Sequence, residues 1–92
     1  MSMTFGIYYG DYLQLDKVLN AQELESEKNG KLAHDEMLFI ITHQAYELWF
    51  KQILFELAAV INVFEEPVIE DKKMGQVIHH LSRIKSIQRV LI

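Results

Sequence analysis

Between His34 and Lys51 runs a stretch long enough for several helical turns and apolar on nearly every side: Met37-Leu38-Phe39-Ile40-Ile41, then Thr42-His43-Gln44-Ala45-Tyr46-Glu47, then Leu48-Trp49-Phe50. A helix with one apolar stripe covers one face of a core, whereas a helix apolar all round must be buried on all sides. A chain of 92 residues has little interior in which to hide such a helix. The run therefore predicts either packing against other chains or membership of a larger body.

Ninety-two residues make one small domain. Hydrophobic residues are 50% of the chain, too many for a disordered segment. A net charge of −4 provides no basic surplus to displace counterions, which argues against nucleic acid as a partner. With no cysteine, disulfides, thiolate metal sites and cysteine nucleophiles are excluded, and the absence suits a reducing, cytoplasmic setting. No basic stretch followed by an apolar run marks a signal peptide. No membrane span is expected, because Thr42, His43, Gln44, Glu47, Lys51, Gln52 and Glu56 interrupt the central run well short of the roughly 18 apolar residues a span requires.

The expected fold is all-α. Residues 1–13 carry Phe5, Gly6, Tyr8, Tyr9 and Gly10 and read as an extended arm that docks on another surface. Asp11 followed by Gln14 resembles a capping box opening a short helix from about Tyr12 to Asn20. A polar connection from Glu23 to Lys31 contains Asn29-Gly30, a turn signal. A long buried helix is expected over about 35–64, opened by Asp35 and Glu36 and closed by Glu65-Glu66-Pro67, with Pro67 suited to the first turn of the next helix. A third helix over about 70–92 presents Met74, Val77, Ile78, Leu81, Ile84, Ile87 and Leu91 at helical spacing, with Lys72, Gln76, His79, Arg83 and Gln88 opposite. Arg89-Val90-Leu91-Ile92 holds no stop signal, which reads as a helix cut short.

Three features carry candidate chemistry. His43 and Glu47, four apart, share a helix face, but the Glu-x-x-His spacing of carboxylate-bridged bundle sites is missing, and a helix-stabilising contact is the better reading. His79-His80 points in two directions around a helix and reads as a solvated pair. His43 lies four residues after Phe39, so ring and imidazole occupy the same side one turn apart. An apolar wall with one polar group suits a small-molecule pocket. Spacing alone still favours a histidine within a core.

The residues Tyr9-Gly10-Asp11-Tyr12-Leu13-Gln14-Leu15-Asp16, then Leu19-Asn20-Ala21-Gln22, then His34-Asp35-Glu36 and the run from Phe39 to Gln52 resemble the N-terminal region of the tryptophan 2,3-dioxygenase family. The likeness runs from about Tyr8 to the end and is densest between His34 and Leu57. It implies an all-helical haem b enzyme that inserts both atoms of O2 across the C2–C3 bond of the L-tryptophan indole, giving N-formylkynurenine. It implies a homotetramer built as a dimer of dimers, with N-terminal segments crossing between subunits. On this resemblance His43 takes the distal position near the indole N–H, on the haem's oxygen-binding side and not ligating iron. Phe39 forms the aromatic wall of the indole pocket, and Tyr9, Tyr12 and Leu13 help close the neighbouring subunit's pocket. His34, Asp35 and Glu36 match the motif and fix the helix start. The family's proximal haem ligand, and the arginine and tyrosine that hold the tryptophan carboxylate, lie beyond Ile92. His79, His80 and Arg83 do not match them, so the chain contributes no metal ligand. The expectation is the N-terminal part of a haem dioxygenase domain, inactive and without haem on its own. The alternative is a non-catalytic helical module that self-associates as a dimer or tetramer.

Overall fold

The structure, a computed structural model, describes residues 8–92, so Phe5, Gly6 and half of the expected arm lie outside the described residues. Among the described residues five helices follow one another: α1 (Tyr9–Tyr12), α2 (Leu15–Val18), α3 (Glu25–Lys28), α4 (Glu36–Phe64) and α5 (Asp71–Leu91). The chain is all-α, as expected. The described residues divide into two compact units, with the boundary between Ile41 and Thr42.

In the first unit, the single short helix expected after Tyr12 is instead two helical turns. α1 starts earlier, at Tyr9, and Gln14 separates it from α2 by adopting φ 53°, a left-handed conformation unusual for a residue with a Cβ. The capping box does not form. Asp11 lies within α1, its backbone oxygen accepts from Gln14 N at 3.2 Å, and neither helix has a side-chain cap at its start. The end of α2 is closed by side chains: Asn20 Nδ2 donates to the Asp16 carbonyl at 2.8 Å and Gln22 Nε2 to the Val18 carbonyl at 2.9 Å. Both satisfy carbonyls that a helix end leaves without an internal donor.

The polar connection holds α3 and then the Asn29-Gly30 turn, where Gly30 has φ +76°, a conformation glycine adopts without Cβ strain. Glu36 fastens this connection to the start of α4. Its carboxylate accepts from Glu25 N at 3.1 Å, from Ser26 N at 3.0 Å and from Ser26 Oγ, while Ser26 Oγ accepts from Ala33 N at 2.9 Å. The Ser26 hydroxyl and amide hold the Glu36 carboxyl below its ordinary range.

In the second unit, α4 and α5 run antiparallel. Tyr46 Oη near one end donates to the Leu91 carbonyl at 3.0 Å, and further along Glu56 meets His80. α4 persists for 29 residues because no glycine or proline interrupts it. It ends at Phe64, and Pro67 sits in the connection, not in the first turn of α5, which starts at Asp71 after the extended Glu70. The seam of α5 comprises the buried Val77, Ile84 and Ile87 with the half-buried Lys73, His80 and Leu91. Their steps alternate four and three, the spacing of helices that interdigitate along a shallow crossing. α4 answers with the buried Glu56 and Val60 and the half-buried Ile53, Ala59 and Val63.

The expected stripe on the third helix is therefore only partly the packed one. Met74, Ile78 and Leu81 are exposed, and His80 and Arg83 engage α4. α4 forms as expected, but among the described residues only its Glu56–Val60 face is buried. Leu48, Leu54 and Phe55 are 60%, 65% and 71% exposed. One neighbouring helix shields one side of a cylinder and no more.

Candidate functional site

Tyr9, Tyr12, Leu13 and Phe39 belong to the first unit and His43 to the second. Tyr9 and Tyr12 are in α1, Leu13 is its C-terminal cap, and Phe39 and His43 are in α4. All five are exposed. Phe39 is 62% exposed even though large aromatic rings gain most from burial. The expected arm is not extended throughout: its described part holds the helical turn α1, and exposed Tyr9 and Tyr12 present their rings outward from it. Among the described residues no cluster of three or more His, Asp or Glu side chains could hold a metal ion, and no helix is long and apolar enough to cross a membrane.

Along α4 beyond His43, Tyr46 stacks obliquely on Phe50, one turn on, with ring centroids 6.2 Å apart. Shallow depressions on this part of the helix are lined by Ala45, Leu48, Trp49 and Gln52, and by Leu48, Lys51, Gln52 and Phe55. These surfaces are apolar with a sparse polar edge, the character of a surface made to be covered.

The most developed polar arrangement is one that spacing did not single out. Glu56, 2% exposed, accepts at Oε1 from Arg83 Nη1 at 2.8 Å and from Gln52 Nε2 at 3.0 Å, and its Oε2 pairs with His80 Nδ1. Arg83 Nη2 also donates to His79 Nε2 at 2.7 Å. Both carboxylate oxygens are thus satisfied, as a buried charge requires. The Arg83 hydrogen bond is the largest influence holding the Glu56 carboxyl below its ordinary range, followed by His80, and burial opposes them. The solvated pair expected at His79-His80 is corrected: His80 lies on the seam, half-buried against Glu56. The legible signal was a glutamate among Ile53, Leu57 and Val60, and a histidine in heptad step with Val77 and Ile84.

The sequence profile of the family described as Tryptophan 2,3-dioxygenase matches residues 1–92. The chain is 61% identical over 84 residues to the tryptophan 2,3-dioxygenase of Alteromonas mediterranea, covering 91% of this chain and 23% of that protein. It is 58% identical over 88 residues to the enzyme of that name from Xenopus tropicalis and 54% identical over 88 residues to that of Rattus norvegicus, in each case covering 95% of this chain and 22% of the relative. The chain thus spans less than a quarter of the length of these curated relatives.

Proposed function

The chain belongs to the tryptophan 2,3-dioxygenase family, and from that premise we propose that it supplies one wall of the L-tryptophan pocket of a dioxygenase that opens the indole ring with O2. The observation that carries this reading is the apolar helix α4, which presents Phe39 and His43 from exposed positions. A neutral imidazole at His43 accepts from the indole N–H and so orients the ring, and the Phe39 side chain bounds the indole and excludes water. Tyr9, Tyr12 and Leu13 close the pocket of a neighbouring copy, a role for which exposed large side chains on and just after a short helical turn are suited.

Haem b, the group the resemblance implies, supplies the binding and activation of O2 when present. The residues of this chain do not by themselves fit it. Phe39 and His43 are both exposed, and the resemblance puts the proximal ligand outside this chain. The proposal is accordingly a part of a site, inactive and without haem when alone. The exposed Leu48, Leu54 and Phe55 favour self-association of the isolated chain as a dimer or tetramer, the core of the alternative, non-catalytic reading. A cytoplasmic setting, argued from the missing cysteines, completes the proposal.

Two measurements test it. The purified 92-residue chain, given haem, L-tryptophan and O2, is expected to form no N-formylkynurenine; turnover would overturn the partial-site reading. This chain can also replace the matching 84 residues of the Alteromonas mediterranea relative. That chimera is expected to turn over tryptophan, and Phe39→Ala or His43→Ala within it to lower kcat/KM. Unchanged kinetics in both variants would remove the two residues from the site.

A further inference from the structure

α5 offers α4 two overlapping faces. One carries Met74, Val77, Ile78, Leu81 and Ile84, with Lys85 and Gln88 toward its C-terminal end, and contains no histidine. The other carries Val77, Ile84, Ile87 and Leu91 but includes Lys73 and His80. Burial of apolar area alone favours the first. The structure uses the second and leaves Ile78 65% and Leu81 46% exposed. At 3.6 residues per turn, the two settings differ by a rotation of α5 of about 80° about its own axis.

We infer that Glu56, through His80 and Arg83, selects the rotational setting of α5 and thereby keeps Ile78 and Leu81 facing outward. The carboxylate is 2% exposed and bonded to both side chains. In the rotated setting His80 and Arg83 turn away from α4. Gln52, which shares the helix with Glu56, would remain its sole partner in the cluster, and a buried carboxylate with one amide donor is strongly disfavoured. The other polar contacts do not duplicate this choice: Lys73 pairs with Glu66 in the α4–α5 connection, and that pair is partly exposed, while Tyr46 Oη reaches only the Leu91 backbone carbonyl at the end of α5. A buried polar contact that picks one pairing among several apolar ones is a known use of such groups, at a cost in stability. Here it has a consequence for assembly, because the face it turns outward adds to the uncovered apolar surface.

The chain lacks cysteine, so single cysteines can report which face is covered. Leu81→Cys and Ile87→Cys are introduced separately, and thiol labelling rates are compared in the otherwise native chain, in Glu56→Leu and in Glu56→Gln. The native chain is expected to label quickly at position 81 and slowly at 87, where Ile87 is 5% exposed. Glu56→Leu is expected to reverse that order, with each rate shifting by about tenfold. Glu56→Gln, which keeps a carbonyl for Arg83, is expected to preserve the native order. A native order in Glu56→Leu with helicity intact overturns the inference. So does rapid labelling at both sites with loss of helix, because an apolar residue at a position that merely selects a setting leaves the pair folded.

Discussion

The Glu56 carboxylate on α4 accepts from the Arg83 guanidinium on α5 at 2.8 Å, and this contact ties the two long helices at a point where apolar packing alone would not. Because Glu56 is buried and its carboxyl is held below the ordinary range, its contribution to folding has a definite sign with pH. A depressed carboxyl contributes fully above its unfolded value of about 4.3 and loses that contribution as pH falls through the folded value. The native chain should therefore exceed Glu56→Gln in urea midpoint at pH 7, and the gap should close on descent below about pH 4. A gap independent of pH would show that the carboxylate charge contributes nothing.

Ile84 is buried at 8% exposure between the two helices. Ile84→Ala should destabilise the second unit by about 2–4 kcal/mol, through lost transfer energy and the cavity left behind. Val68→Ala, in the connection at 77% exposure, is the control and should change stability by less than about 0.5 kcal/mol. Equal effects in urea denaturation would mean that the seam is not the core.

Phe55 is 71% exposed on α4, whereas Ile53, two positions before it, is half-buried. In sedimentation, the native chain is expected to run as a dimer or tetramer. Phe55→Glu should shift it to monomer with helicity kept, and Ile53→Glu should lose helicity as well, since it places a charge at the seam. A native chain that is monomeric across the micromolar range would remove the self-association proposal.

In the first unit, Glu36 gathers the amides of Glu25 and Ser26 with the Ser26 hydroxyl, which in turn holds the Ala33 amide. Glu36→Ala should speed amide exchange at Glu25, Ser26 and Ala33 several-fold and leave Val77 and Ile84 unchanged. The same exchange pattern before and after substitution would mean that the clamp is not formed in solution.

Much of this protein follows from local sequence. The long helix was legible because residues 36–64 hold no glycine or proline. The turn at Asn29-Gly30 was legible because a glycine takes φ +76° without strain. The family was legible from the dense motif between His34 and Gln52, which carries Phe39 and His43. The Gln14 break was not, since nothing local forbids a longer helix there and the residue takes a left-handed conformation against its own preference. Nor was the packed face of α5: its apolar positions allow two seams, and periodicity counts hydrophobic residues without knowing which polar group waits on the opposite helix. Only the tertiary pairing brings Glu56 to His80 and Arg83, residues 24 and 27 positions away, and so decides the choice. Local spacing sets which helices form. Satisfying one buried charge sets how two of them meet.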